Sequence, residues 1–524
     1  MPGRSQARVD YLRAFLSGVL LAFSFPKFGH PAVAWIALTP LLTMLVRGTL
    51  RDAFTRGLIT GLVYFTGTLY WITRVMVVYG GVQTWIAVPI NVALIAYLAL
   101  FPAIFALVMR RLTIAHGPAA LTAAPLVWVA TELGRTHILT GFPWVLLGYS
   151  QVTFLPIAQL ASVFGVYGVS MLVATVSSAL AMMADRSAQA SRSNDTTGAR
   201  AFRRAVAIVP FVIVALVAAW GSRRVSASEL THAGDAVRVG LIQGNVDQAI
   251  KWSPERALVI FDEYIKMTRR AIANGAQLIL WPESSTPFLF EEEQAAANRM
   301  RVLAREAHAS LLFGSDQIEW KLAGNRRVPD KYFNSAFLLR PDGTTAGVYR
   351  KMHLVPFGEY VPLQRLLFFA APLTEQVGTF EPGTRPALLP VDGHPVSVAI
   401  CYEVVYPSLV RQFVEGGSEL LTTITNDAWF GETSAPYQHF EQAAMRAIEE
   451  GRYLVRAANT GVSGIVDPYG RVIERSAIFQ PAVLLGEARF LKTTTFYGRH
   501  GDVLAYASVL VTVVFLLMSR RRIE

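Results

Sequence analysis

The chain has 524 residues, which is long enough for two or more domains. Hydrophobic residues make up 53% and charged residues only 16%, a composition too apolar for an ordinary soluble protein. The formal net charge is +11, yet residues 223–500 carry 29 basic and 30 acidic side chains, so the whole basic excess lies in the apolar remainder. This distribution is typical of membrane topology and argues against a surface that binds nucleic acid.

Apolar segments long enough to cross or nearly cross a bilayer occur eight times in the chain. They lie at about 12–25, 31–46, 57–73, 85–109, 118–133, 152–183, 205–221 and 503–518. Arginines cluster before the first segment and after the second, fourth, sixth and eighth, whereas the alternate loops carry only Lys27, Arg74 and Arg135. Because basic loops stay in the cytoplasm, both termini are predicted to be cytoplasmic and residues 222–502 to face outside.

The first segment resembles the apolar part of a signal peptide, but it runs into Phe25-Pro26-Lys27-Phe28 without a small-residue cleavage pattern. It is therefore predicted to remain as a span. Glu132 and Arg135 end the fifth segment, and His137 follows them. Ionisable groups in a membrane are functional candidates. At the predicted outer end of a span, however, we interpret these three as structural.

After Trp220 the pattern changes to strands alternating with amphipathic helices, which indicates an α/β arrangement with helices covering a largely buried sheet. The predicted strands are 237–245, 277–283, 311–318, 334–339, an extended piece ending at 351, the apolar run before 401, and 420–426. The predicted helices are 254–274, 291–309, 406–415 and 437–458. A Pro-Tyr-Gly turn between 464–467 and 471–474 predicts a hairpin.

Three polar residues each follow an apolar run closely: Glu283 after LILWP, Lys351 after VYR and Cys401 after VSVAI. Cys401 is the only cysteine, so it forms no intrachain disulfide and belongs to no multi-cysteine metal site. Alone, a buried cysteine is usually a small hydrophobe, and an acid or lysine at a strand end is usually solvated. Together the three provide a nucleophile, a base and a cation for an oxyanion, which acyl transfer through a thiol requires. The backbone N–H of Tyr402 is a candidate second oxyanion donor.

A Cys–His pair is the alternative, with His353 or His439 as the base, and spacing alone leaves it open. Glycine-rich phosphate loops, H-E-x-x-H and EF-hand patterns are absent from the sequence. We therefore expect no cofactor, metal or nucleotide.

Several motifs resemble those of the nitrilase superfamily: WPE at 281–283, YRKMHL at 349–354, ICYE at 400–403 and AANTGVSGIVDPYGRV at 457–472. With VPFGEYVPL (355–363), TNDAWFG (425–431) and the apolar segments, the chain is similar to the membrane-embedded branch of that superfamily, the apolipoprotein N-acyltransferases of the bacterial inner membrane. The resemblance covers essentially the whole chain. It implies an α+β membrane protein: seven transmembrane helices in 1–221, a periplasmic nitrilase-like α-β-β-α sandwich in 222–500, and a last helix with a cytoplasmic tail in 501–524.

The resemblance also implies the reaction. Cys401 of a Glu283–Lys351–Cys401 triad would attack the sn-1 ester of a phospholipid and form a thioester. The N-terminal amine of a diacylglyceryl-cysteine lipoprotein would then take the acyl group in a ping-pong sequence. Both substrates are too apolar to leave the bilayer, which fits a membrane frame.

Supporting positions carried over from the family are Glu359, Tyr402, Glu403, Trp252 and Trp429. Glu359 is expected to support Lys351 or Glu283, with a plain surface carboxylate as the alternative. Trp252 and Trp429 are interpreted as lids or lipid contacts, although buried packing remains open for both. The apolar run 366–373 is predicted to dip into the membrane, with a place in the core as the alternative.

Two other functions remain open from the sequence. A membrane-tethered nitrilase-type amidase would hydrolyse small amides with the same three residues, and residues 355–363 and 425–431 speak against it. A transporter or scaffold would bind a ligand without chemistry, and for it a Cys401→Ala change would be silent. That class requires polar residues buried at mid-membrane, and the sequence offers few.

Overall fold

A computed structural model describes residues 4–184, 197–248, 250–251, 253–356, 358–360 and 380–520. The chain forms two compact units. The helical unit comprises Met1–Ile72, Trp85–Ala227 and His500–Glu524, and the sheet unit comprises Thr73–Thr84 and Ser228–Arg499.

The helical unit is built from α-helices joined by short turns and 3-10 segments. Its helices, with α5 continuing into the sheet unit, are α1 Arg4–Ala22, α2 Pro31–Ala37, α3 Thr39–Met44, α4 Leu50–Leu69, α5 Trp71–Val78, α6 Thr84–His116, α7 Ala124–His137, α8 Leu155–Ala158, α9 Ala161–Ala184, α10 Thr197–Ala227 and α16 Val503–Arg520. Four stretches in the described residues are long and apolar enough to cross a membrane, namely Thr84–His116, Ala161–Ala184, Ile208–Thr231 and Val503–Arg520. The pair α4 and α5, bent by 49°, adds a fifth if it counts as one span.

The prediction of eight spans is therefore wrong. Segment 31–46 is divided at Leu38 into the short helices α2 and α3, the second with a proline in its first turn. Segment 118–133 begins as a 3-10 turn, so α7 has only 14 residues. Most of segment 12–25 lies in α1, which ends at Ala22 and whose first turns carry several charged side chains. The mean hydropathy of a segment reflects how apolar it is but does not reveal where its helix is interrupted.

Glu132 and Arg135 are buried and hold a non-helical stretch of backbone that follows α7. Arg135 Nη1 donates to the carbonyl of Trp144 at 2.7 Å, and the N–H of Leu147 donates to Glu132 Oε1 at 2.7 Å. Irregular backbone among apolar helices needs such partners, because no bulk water is present to satisfy its polar groups. These contacts support the structural interpretation of both residues.

The sheet unit contains two six-stranded mixed sheets, in the orders β12-β1-β2-β3-β4-β5 and β11-β10-β9-β8-β7-β6. The strands are β1 Ala236–Gln243, β2 Leu278–Leu280, β3 Ser310–Ala323, β4 Arg326–Leu339, β5 Thr345–Arg350, β6 Leu389–Val391, β7 His394–Ile400, β8 Leu420–Thr425, β9 Leu454–Ala458, β10 Gly464–Val466, β11 Val472–Arg475 and β12 Ala482–Arg489. Its helices are α11 Pro254–Ala273, α12 Gln294–Ala307, α13 Pro407–Glu415, α14 Ala435–Glu450 and α15 Phe496–His500.

The layers run helix, sheet, sheet, helix, as the resemblance to the nitrilase superfamily implies. Helix α11 packs on β1 and β12, β1 contacts β9 of the second sheet, and α14 packs on the far side of β9. Strands β7, β8 and β9 are parallel, and all six residues of β8 are buried, as expected for strands covered on both faces. This arrangement brings the carboxyl ends of the central strands to one edge.

One predicted helix in this unit is wrong in its length. The sequence indicates a helix over 437–458, but α14 ends at Glu450 because Gly451 has a left-handed backbone, with φ of +62°. The chain then returns as β9, whose apolar run is as compatible with a buried strand as with a helix.

Glu450, the last residue of α14, is fully buried, and within the described chain neither carboxyl oxygen has a hydrogen-bond partner. Burial, together with neighbouring Glu449, raises the pKa of Glu450 to about 8, although Arg446 and Arg452 oppose the shift. Because the folded state holds this proton more tightly than the unfolded state, the stabilisation is complete below pH ~4.5 and is lost as pH rises through about 8.

We therefore expect Glu450→Gln to remove up to about 4 kcal/mol of pH dependence from the free energy of unfolding. Unfolding midpoints measured in detergent between pH 5 and pH 9 test this, with the exposed Glu263→Gln as the control. Parallel pH profiles for the wild-type chain and Glu450→Gln would contradict it.

Candidate active site

Glu283, Lys351 and Cys401 lie at the shared edge formed by the strand ends. Lys351 directly follows β5, Cys401 directly follows β7, and Glu283 comes three residues after β2. Trp281 anchors the segment between β2 and Glu283. Its ring is fully buried against neighbouring aromatic rings, and its Nε1 donates a hydrogen bond to Thr268 at 2.8 Å. The structure thus brings the three residues into one buried region.

Lys351 is held between two carboxylates. Its Nζ lies 3.2 Å from Oε1 of Glu283 and 2.9 Å from Oε1 of Glu359, and all three side chains are buried. Nδ2 of Asn334 donates to the same two oxygens, at 2.8 Å and 2.9 Å. The N–H of Val355 donates to the second oxygen of Glu359 at 2.7 Å, so Glu359 is not a surface carboxylate.

The contacts within this cluster keep the side chains of Lys351 and Glu283 ionised. Burial disfavours the ammonium of Lys351, but Glu283 and Glu359 outweigh it, so the pKa of Lys351 is raised well above its ordinary value. Burial also disfavours the carboxylate of Glu283, but Lys351 and the hydrogen bond from Asn334 lower its pKa. The N–H of Asn426 donates to the other oxygen of Glu283 at 2.9 Å.

Cys401 begins a 3-10 turn at the end of β7 and has a left-handed backbone, with φ of +52°. Its side chain is buried. Burial and the charge of Glu283 raise the pKa of the thiol, while Lys351 and a hydrogen bond from Thr425 oppose the rise. At neutral pH the resting thiol is therefore protonated and requires a base when it reacts.

Glu403 joins the segment after β5 to the turn after β7. Its Oε1 accepts from the hydroxyl of Tyr349 at 2.8 Å and from the N–H groups of Met352 and His353 at 2.6 Å and 3.0 Å. Its Oε2 accepts from the N–H of Ile400 at 2.7 Å. Burial raises the pKa of Glu403 to about 7, although the hydrogen bonds from Ile400, His353 and Tyr349 and the charge of Lys351 oppose the rise. Glu403 therefore holds the backbone after Lys351 and the backbone before Cys401 in a fixed relative position.

The aromatic candidates are less closely connected to the cluster. The ring of Tyr402 packs against Tyr406 and His353, with centroids 5.2 Å and 5.9 Å apart. Trp429 is half-buried and contacts Tyr79 edge-on at 5.5 Å. Trp252 and the apolar run 366–373 lie outside the described residues.

Neither histidine of the Cys–His alternative is set up as a base. Burial and Lys351 lower the pKa of His353 to about 4, and its ring packs at a tilt against that of Tyr406, with the centroids 3.8 Å apart. Nε2 of His439 lies 3.1 Å from the carbonyl oxygen of Cys401, so this nitrogen carries a hydrogen and donates it to the backbone rather than acting on the thiol.

Sequence reasoning missed two residues of this site. Asn334, at the start of a predicted strand, links both carboxylates of the cluster. Lys251 is buried with its Nζ 3.5 Å from the carbonyl oxygen of Glu283, and burial lowers its pKa to about 8, with Asp316 and Glu283 opposing. The only available signal was the position of Lys251 beside Trp252.

Two family models match the chain. Residues 17–179 match the apolipoprotein N-acyltransferase N-terminal domain, and residues 238–489 match carbon-nitrogen hydrolase. Among solved structures, an amidase from Nesterenkonia sp. is similar at 23% identity, covering 52% of this chain and 97% of that chain with a TM-score of 0.38.

Among curated proteins, the apolipoprotein N-acyltransferase of Geobacter metallireducens is 42% identical over 98% of this chain and 96% of its own length. That of Methylococcus capsulatus is 34% identical over the same shares. The expected resemblance is confirmed. The chain therefore belongs to the apolipoprotein N-acyltransferase family, as an acyltransferase of the nitrilase superfamily whose second half is a carbon-nitrogen hydrolase domain.

Proposed function

We propose that this chain moves an acyl group from the sn-1 position of a phospholipid, through a thioester on Cys401, to the N-terminal amine of a diacylglyceryl-cysteine apolipoprotein. The observation that carries the proposal is the buried Glu283–Lys351–Glu359 ion cluster, two members of which shift the pKa of the only thiol in the chain. Buried ionisable groups that shift one another's pKa values beside a candidate nucleophile are typical of catalytic sites, which favours an enzyme over a scaffold.

In the first half-reaction the sulfur of Cys401 attacks the ester carbon. Glu283 takes the thiol proton as the carbon–sulfur bond forms, and the ammonium of Lys351 stabilises the negative oxygen. The N–H of Tyr402, one peptide away from the sulfur-bearing residue, is the proposed second donor. The ester C–O bond then breaks, and Glu283 returns the proton to the leaving oxygen, which releases a lysophospholipid.

In the second half-reaction the lipoprotein amine attacks the thioester. Glu283 accepts a proton from the amine and delivers it to sulfur as the carbon–sulfur bond breaks. Because the resting thiol is protonated, bond formation and proton transfer are expected to occur together at each step. Glu359 and Glu403 hold Lys351 and its segment, and Trp429, Trp252 and Tyr402 are proposed as contacts of the acyl chains.

The proposed setting is the bacterial inner membrane. Residues 1–221 and 501–524 would form the membrane domain with both termini in the cytoplasm, and residues 222–500 the periplasmic catalytic domain. The charge distribution supports a membrane setting, since the basic excess lies wholly in the apolar remainder. The lipid bilayer supplies both substrates, and no cofactor is required.

Intact-protein mass spectrometry after incubation with phospholipid alone tests the proposal. We expect a hydroxylamine-labile acyl adduct on the wild-type chain and none on Cys401→Ala. Adding a diacylglyceryl peptide should remove the adduct and acylate the peptide amine. If no phospholipid gives an adduct and small amides are hydrolysed instead, the tethered amidase is the correct function.

A further inference from the structure

His439 of α14 is fully buried beneath the turn that carries the nucleophile. Its Nε2 lies 3.1 Å from the carbonyl oxygen of Cys401, in the peptide that joins Cys401 to Tyr402. A carbonyl oxygen only accepts hydrogen bonds, so this nitrogen carries the hydrogen and donates it. His439 therefore donates a hydrogen bond to the backbone of the nucleophile rather than to its thiol.

The far side of the imidazole is fixed by a buried ion pair. Nδ1 lies 3.0 Å from Oδ1 of Asp427 and 3.0 Å from Nη2 of Arg456, and the same Nη2 donates to Oδ2 of Asp427 at 2.8 Å. Burial and Arg456 lower the pKa of His439, against Asp427. The ring is thus fixed on both sides, with Nε2 donating to the Cys401 carbonyl and Nδ1 within hydrogen-bond distance of both Asp427 and Arg456.

The backbone at this position needs such a clamp. Cys401 has φ of +52°, a conformation that residues with a Cβ rarely adopt and that persists where its surroundings enforce it. Because a peptide unit is planar and trans, the orientation of the Cys401 carbonyl also sets the direction of the Tyr402 N–H on the opposite side. One hydrogen bond thus constrains both the nucleophile's backbone and the proposed oxyanion donor.

We propose that His439 is a positioning residue for the reaction, which holds the Cys401–Tyr402 peptide in its productive orientation while Asp427 and Arg456 hold the imidazole. The inference rests on the proposed function only for the identity of Cys401 as the nucleophile. It assigns His439 no proton transfer and no contact with substrate.

Two substitutions of His439 differ mainly in reach. The side-chain amide of His439→Gln places an N–H near the position of Nε2, whereas that of His439→Asn ends near Nδ1 and falls short of the Cys401 carbonyl. We expect His439→Asn to lower kcat for acyl transfer about 100-fold with KM changed less than about threefold, and His439→Gln to recover at least about tenfold of that loss. His394→Asn, at the opposite end of β7 and paired with Glu419, is the matched control and should leave kcat unchanged.

The rate of Cys401 alkylation by iodoacetamide, in which sulfur displaces iodide, is measured on the same variants. This alkylation rate tests the role of His439 even if no phospholipid substrate is turned over. Faster alkylation of His439→Gln than of His439→Asn would support the positioning of Cys401 by His439 independently of the proposed function. Equal kcat values and equal alkylation rates for the two variants, at matched thermal midpoints, would overturn the inference. Wild-type kcat in His439→Asn would overturn it as well.

Discussion

Replacing Lys351 by methionine is expected to destabilise the sheet unit by about 3–5 kcal/mol and to abolish acyl transfer. The ammonium is almost fully buried between Glu283 and Glu359, so its removal leaves two carboxylates facing each other without a cation. Because like charges in a buried site resist ionisation, the two carboxylates should then share a proton, and Glu283 loses its charge as a base. Methionine approximates the volume of lysine, so the effect of the charge is separated from that of a cavity.

Thermal unfolding in detergent and the acyl-adduct assay measure the two parts of this prediction. Lys266→Met is the matched control, because Lys266 forms an exposed pair with Glu263 on α11 and should change neither quantity appreciably. A Lys351→Met variant that retains the wild-type rate of adduct formation would remove Lys351 from the mechanism, whatever its stability.

Replacing Glu283 by glutamine is expected to lower the rate of acylation by about 10³–10⁴-fold while the chain remains folded. Glutamine keeps the shape and one acceptor for Lys351 and Asn334, but it cannot take a proton from a thiol whose pKa is raised. The loss should persist at high pH until the thiol ionises by itself, whereupon the variant should partly recover.

Glu359→Gln is the closest control for this change, because Glu359 contacts the same ammonium at 2.9 Å and the same Asn334. We expect it to slow acylation only about tenfold, since it removes support for Lys351 but not the base. Rates of adduct formation for the two variants between pH 6 and pH 10 decide the matter. Equal losses would mean that Glu283 has no special role in proton transfer.

Much of the candidate active site could be predicted because each of its strands has a local sequence signature. The apolar run before Cys401 indicates a buried strand, and a polar residue directly after such a strand lies at the edge where α/β sheets place their reactive groups. Glu283 and Lys351 follow the same rule. Their pairing at 3.2 Å does not follow from that rule, because it depends on how β2 and β5 are arranged in the sheet.

The parts that sequence reasoning missed depend on contacts between distant segments. His439 is 38 residues from Cys401 and reaches it through α14, and the spacing of the two residues gives no sign that the contact is to a carbonyl rather than a thiol. Asn334 looks like an ordinary strand residue until its two carboxylate partners are known. The count of membrane spans failed for a different reason: hydropathy averages over breaks such as the one at Leu38.

The four hydrogen bonds to Glu403 have a consequence for the energetics of turnover. One carboxylate ties the backbone beyond Lys351 to Ile400, the last residue of the strand before Cys401, so the separation of ammonium and thiol is set during folding. Little reorganisation energy then remains to be supplied when the oxyanion forms. In the proposed reaction, a site fixed in this way would serve two chemically different electrophiles, an oxygen ester and a thioester, without rearrangement. The residues around the site, rather than the reacting groups, would then determine how each substrate is accommodated. Substitutions there could change acyl-chain preference without disturbing the chemistry.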